Sequence, residues 1–101
     1  MSERNQEKGD VLVRPKVDKP PRYKVLLFND DFTTMEFVVW VLQSVFKLTS
    51  AESTRVMLII HRSGVGVAGV YTQEIAETRV QQVLAAAREH GHPLQCTMEP
   101  E

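Results

Sequence analysis

Internal disulfides are closed to this chain, because Cys96 is the only cysteine among its 101 residues. That usage fits a reducing compartment and points to the cytoplasm. A lone cysteine of this kind reads as a small core residue before it reads as a nucleophile. Long apolar runs are missing as well: nothing approaches the roughly 20 residues of a membrane-spanning helix. The opening stretch Met1-Ser2-Glu3-Arg4-Asn5-Gln6-Glu7-Lys8 has no apolar centre, which sets aside a secretory signal. Neither sign of charge dominates, with twelve Lys and Arg against thirteen Asp and Glu. Within residues 1–22 the basic residues lead by six to four, and within 23–101 the acidic ones lead by nine to six. A mildly acidic body with no aromatics set into a basic patch argues against nucleic acid as the main partner.

What is present suffices for one domain. Residues 1–22 show no periodicity and few large apolar side chains, and they end in Lys19-Pro20-Pro21-Arg22. Such a segment buries too little surface to offset its chain entropy, so it reads as a flexible N-terminal arm stiffened near Pro20-Pro21. The folded core is expected over residues 23–101. Tyr23-Lys24-Val25-Leu26-Leu27-Phe28 is a short β-rich run between proline and Asn-Asp-Asp, and reads as a strand. Thr33-x-x-Glu36 has the form of a capping box and opens a helix over about 35–47, with Val38, Val41, Leu42, Val45 and Phe46 on one face. Thr49-x-x-Glu52 repeats the device for a helix over about 50–62, which stops before Gly64 and Gly66. Val65 to Tyr71 reads as a strand carrying glycine. Thr72 can cap a third helix over about 73–90, with Ile75, Ala76, Val80, Val83, Leu84 and Ala87 turned inward. Gly91 ends it, Pro93 follows, and Leu94 to Met98 makes a last strand. The order β-α-α-β-α-β predicts an α+β domain: a three-stranded, mainly antiparallel sheet packed against three helices. No internal repeat is present.

Chemistry concentrates where the first strand should hand over to the first helix. Asn29-Asp30-Asp31 puts an amide and two carboxylates there. Carboxylates at that point either favour a helix dipole from a solvated turn or hold a cation. His61 stands on the oily segment Val56-Met57-Leu58-Ile59-Ile60. Met57 and His61 are four apart and share a helix face with Ile60 beside them; Met35 and Val38 are three apart at the start of the preceding helix. If the two helices are neighbours, Met35, Val38, Met57, Ile60 and His61 line one cavity with the acidic turn at its mouth. Methionines make adaptable apolar walls. Acceptors from Asn29, Asp30 or Asp31 and neutral His61 suit an ammonium, which has three donors and no acceptor. The N-terminal residue of a peptide is such a ligand. Each part also has a plain reading, as a cap, an exposed histidine or core filler.

The run Tyr23 to Val38, with Asn29-Asp30-Asp31-Phe32-Thr33-Thr34-Met35-Glu36 at its centre, resembles the signature of the ClpS adaptor family. Met57…His61, Gly69-Val70-Tyr71-Thr72 through Ala76-Glu77-Thr78, and His92-Pro93-Leu94 extend the resemblance over about residues 20–99. It implies a non-enzymatic adaptor of the bacterial N-end rule, without catalytic residues, metal or cofactor. Such an adaptor binds proteins that begin with Leu, Phe, Tyr or Trp. It hands them to the N-terminal domain of a Clp AAA+ unfoldase, ClpA or in some lineages ClpC, for degradation by ClpP. A cytoplasmic monomer is implied, and no membrane. The resemblance assigns Asn29, Asp30 and His61 to the α-amino group and first peptide unit, and Asp31 and Thr33 to the pocket edge. It makes Met35 a gatekeeper against β-branched first residues, and Val38, Met57, Ile60 and Leu94 the apolar lining. Glu74 and Arg79 fall on a patch that docks the unfoldase, and the arm on an extension that engages it during hand-over. Three positions depart from the pattern: Thr34 stands where proline is common, Arg79 replaces a frequent lysine, and Trp40 is unusual.

Other classes fit less well. A hydrolase would recruit His61, Asp30 and Ser63, but no nucleophile elbow accompanies them. A metal could use Asp30, Asp31 and His61, or His90 and His92, without diagnostic spacing; His90 and His92 flank Gly91 and read as helix-end caps. A generic protein-interaction domain with no N-terminal specificity is the strongest rival.

Overall fold

The computed structural model describes residues 20–101. The arm expected over residues 1–22 lies, as far as residue 19, outside the described residues. Its last residue belongs to the fold: Arg22 starts the first strand, and its carbonyl accepts the Glu101 N–H at 2.8 Å. The elements run β1 (Arg22–Phe28), α1 (Met35–Ser44), α2 (Ser50–Ser63), β2 (Val65–Thr72), α3 (Gln73–Glu89) and β3 (Gln95–Pro100). The order is the expected one, and the fold is α+β.

β1 is the middle strand of three, in the order β2-β1-β3, and both pairings are antiparallel. The central position explains why Val25 and Leu27 are fully buried. In the β1–β2 pair Val25 faces Gly69 and Leu26 faces Val67, so Ala68 is an extra residue that bulges the strand. Val25 and Leu27 share the core with Phe37, Val38, Val41 and Leu42 of α1, Val56 and Ile60 of α2, and Ala76, Val83 and Ala87 of α3.

Several local expectations change. α1 ends at Ser44 instead of continuing to 47. The chain turns because Lys47 takes a left-handed backbone (φ 60°), and the Leu48 N–H reaches back to the Leu42 carbonyl at 3.1 Å. Val45 and Phe46 are still buried, from the turn and not from the helix. Ile75 is 44% exposed. The buried seam of α3 runs through Ala76, Val83 and Ala87, and Ile75 lies one residue, about 100° of arc, to its side. Leu94 is buried just ahead of β3, which begins at Gln95. Thr72 holds the N-cap position of α3 without a side-chain cap bond, whereas the Thr49–Glu52 capping box of α2 forms in full.

Candidate functional site

The turn that links β1 to α1 is organised by one carboxylate. Asp30 Oδ1 accepts the N–H groups of Phe32 at 2.8 Å and Thr33 at 2.7 Å. Its Oδ2 accepts the Thr33 hydroxyl at 2.7 Å. Thr33 is therefore engaged by Asp30 and does not form the capping box expected with Glu36. Its neighbour does the capping: Thr34 Oγ1 accepts the Phe37 N–H at 3.1 Å. Burial by itself would raise the Asp30 carboxyl, but the hydroxyl and N–H of Thr33, the N–H of Phe32 and the nearby His92 outweigh it and hold it below its ordinary value. Its charge is secure at neutral pH. Each carboxylate oxygen has two lone pairs, so Oδ1 is saturated and one site remains on Oδ2.

A second device brings Asn29 to His61. The Asn29 N–H donates to the Gly64 carbonyl at 2.9 Å, which ties the end of β1 to the end of α2. Gly64 caps α2 at φ 91°, a backbone that favours glycine, and its own N–H donates to the Ile60 carbonyl at 2.9 Å. Two residues on, a Cβ at Gly66 would stand 2.7 Å from Ile60 Cγ1, so only glycine lets β2 pass this close to α2.

These links enclose a cavity of about 280 Å³ lined by Asn29, Asp30, Asp31, Thr33, Met35, Val38, Met57, Ile60 and His61. It lies just under the roughly 300–1,000 Å³ typical of drug-sized ligand sites, a size for one side chain and its attached backbone. Val38 and Ile60 are buried at its floor and Met57 is half-buried, while Asp31, Met35 and His61 are exposed at the rim. Nine of the ten residues expected at the pocket meet here. Leu94 does not line the cavity; it is buried among the core residues that include Val38 and Ile60. Glu74 and Arg79 lie apart on α3, where Glu74 is exposed in the first turn.

The rival arrangements do not assemble. Ser63 ends α2 and does not line the cavity. Among the described residues no three of His, Cys, Asp and Glu are grouped to hold a metal ion. Of the two histidines expected as caps, His90 is the C-cap of α3, its Nδ1 2.9 Å from the Ala86 carbonyl. The His92 ring instead stacks on Phe37, centroids 4.2 Å apart, and Trp40 covers the same Phe37 at 5.7 Å and leans on His90 at 5.4 Å. Sequence reasoning missed Gly64 as the anchor of Asn29 and His92 as a neighbour of Asp30. The glycine was legible as a helix stop; nothing local to His92 announces a partner some sixty residues earlier.

The family profile described as ATP-dependent Clp protease adaptor protein ClpS matches residues 18–97. The ATP-dependent Clp protease adapter protein ClpS of Roseobacter denitrificans is 54% identical over 105 residues, spanning 100% of this chain and 93% of its own length. That of Caulobacter vibrioides strain NA1000 / CB15N is 59% identical over 87 residues, 86% of this chain and 80% of its own. Among solved structures, that of Agrobacterium tumefaciens ClpS2 bound to L-phenylalaninamide aligns with a TM-score of 0.79 at 43% identity, covering 82% of this chain and 100% of that one.

Proposed function

This chain belongs to the ClpS family, the adaptors of the ATP-dependent Clp protease, and from that premise we propose that its socket captures the free first residue of proteins beginning with Leu, Phe, Tyr or Trp. The captured protein is passed to a Clp AAA+ unfoldase, ClpA or a ClpC-type relative, in the cytoplasm. The family is one of adaptors and not of catalysts. The observation that carries the reading is the cavity itself, an apolar floor of Val38, Met57 and Ile60 under a rim of Asn29, Asp30 and His61. L-phenylalaninamide, the ligand of the Agrobacterium protein, offers the same chemistry: a free ammonium, a bulky apolar side chain and an amide in place of the first peptide unit.

Recognition divides into two contributions of similar size. Burial of a Leu or Phe side chain is worth roughly 1.5–3 kcal/mol. Each charge-assisted hydrogen bond from the ammonium is worth about 1.5–3 kcal/mol. Asn29 and His61 supply acceptors, and Asp30 supplies its remaining Oδ2 site and the opposing charge. An internal Leu lacks the ammonium, and an N-terminal Lys brings a second charge onto the apolar floor. Met35, at the rim, is the residue placed to exclude Ile and Val. Glu74 and Arg79 on α3 are the docking patch for the unfoldase's N-terminal domain, away from the socket.

The test is a fluorescence titration with peptides that differ only in their first residue, each also in N-acetylated form. Peptides starting with Leu, Phe, Tyr and Trp are expected to bind, those starting with Ile, Val or Lys to bind far more weakly, and acetylation to abolish binding. Equal affinity for a peptide and its acetylated twin identifies a generic protein-interaction domain and removes the reading.

A further inference from the structure

Met35 and Met57 each border two hollows. They line the socket, and with Glu36 and Val39 they also line a second, more open groove of about 420 Å³. The pair is therefore a partition, with the socket on one side and the groove on the other. Met35 is 42% exposed and Met57 is half-buried. Both thioethers can be approached from the solvent side, although the floor they share with Val38 and Ile60 is apolar. The other sulfurs among the described residues are placed differently. Met98 stands on β3 opposite Val25, packed against the core, and lines neither hollow. Cys96 is buried, and that burial pushes its thiol up to about 12, so at neutral pH it offers no thiolate to an oxidant.

Thioethers differ from the other wall groups in one respect: a peroxide can change their polarity. The sulfur lone pair attacks one peroxide oxygen, and the O–O bond breaks as the S–O bond forms. The departing hydroxide takes the proton of the transferred hydroxyl and leaves as water. Sulfur gives up two electrons and the peroxide accepts them. A flexible apolar side chain becomes a polar, chiral sulfoxide. Val38 and Ile60 carry no donor for the new oxygen, and neither does the side chain of an incoming Leu or Phe. Seating such a residue against the sulfoxide would bury an acceptor without a partner. The rim of Asn29, Asp30 and His61 has no sulfur and is untouched. Reduction by a dithiol through a sulfoxide reductase removes the oxygen as water and leaves a disulfide on the reductant.

We propose that Met35 and Met57 are a reversible modification site: peroxide converts their thioethers to sulfoxides and closes the socket to apolar first residues, and reduction reopens it. This rests on the capture role given to the socket above and adds to it a chemical control of that capture.

The test treats the full-length chain with hydrogen peroxide at neutral pH, locates each added oxygen by peptide mass mapping, and titrates the product with a fluorescent Leu-initiated peptide. Met35 and Met57 should gain oxygen before Met98, and affinity should fall about tenfold as they do. Methionine sulfoxide reductases of both stereospecificities, supplied with a dithiol, should restore it. Met98→Leu should respond to peroxide as the parent does. Met35→Leu/Met57→Leu, whatever its affinity before treatment, should show no further loss. The single variants Met35→Leu and Met57→Leu should each lose part of the response, and they keep the test open where the double variant does not fold. Unchanged affinity in a chain fully oxidised at both positions overturns the inference. So does an equal peroxide loss in the double Leu variant, or a loss that the reductases cannot reverse, because the damage then lies elsewhere. If the untreated chain does not distinguish the peptide from its acetylated twin, the socket reading falls and takes this inference with it.

Discussion

Asp30 organises the turn that borders the cavity. Three of its lone-pair sites hold the turn, so on the proposed reading it offers a ligand a fixed charge and one further acceptor site. That Asn29 and His61 share one cavity was legible from their types and spacing; that most of Asp30's capacity is used within its own loop was not, because nothing in Asn-Asp-Asp says which atoms pair. Cys96 behaves as its isolation in the sequence suggests. It is 4% exposed, and burial pushes its thiol from an ordinary 9.0 to about 12. The folded state therefore prefers the protonated thiol. Its stabilisation is complete below pH 9 and is lost as pH rises toward 12, because the unfolded chain ionises first. Ellman's reagent at pH 8 is expected to leave the native thiol largely untouched and to titrate one thiol in guanidinium chloride. In urea unfolding, Cys96→Val should flatten the alkaline loss of stability. Immediate labelling of the native protein would contradict this placement.

The two threonines before α1 divide labour, and the sequence pattern credits the wrong one. A capping-box template counts residues, and Thr33-x-x-Glu36 satisfies the count. The competing acceptor, Asp30, captures Thr33 first and leaves Thr34 to meet the Phe37 N–H. Thr34 thus has a use of its own, as the N-cap of α1. Thr34→Ala should lower the free energy of unfolding by about 1 kcal/mol, as loss of an N-cap does, and barely change peptide affinity. Thr33→Val should do the reverse: by freeing Asp30 it weakens capture of a Leu-initiated peptide about fivefold, equivalent to about 1 kcal/mol. Urea unfolding and peptide titration on the same two variants separate them, and a larger stability loss for Thr33→Val would reverse the assignment. The end of α1 was illegible for a related reason. Val45 and Phe46 continue the apolar period, and only the left-handed turn at Lys47 shows that the helix has already stopped.

Across the whole molecule, apolar periodicity and turn residues were enough to order six elements, because each buries one face and each boundary carries glycine, proline or a capping side chain. That Leu94 joins the shared core and does not line the cavity was not legible, because it depends on how β3 and the helices pack. The socket draws on the end of β1, on α1 and on α2, so a ligand should brace the entire fold. A Leu-initiated peptide at 100 times its dissociation constant should stabilise the native state by about 2.7 kcal/mol. For a domain of this size that is a rise of roughly 10–20 °C in Tm by calorimetry, and its acetylated twin should give none. The bond from the Asn29 N–H to the Gly64 carbonyl has one more implication. It closes a ring of more than thirty residues that brings the end of β1 to the end of α2. A chain in which that ring is still open lacks the wall that joins Asn29 to His61, so the cavity exists only in the folded state.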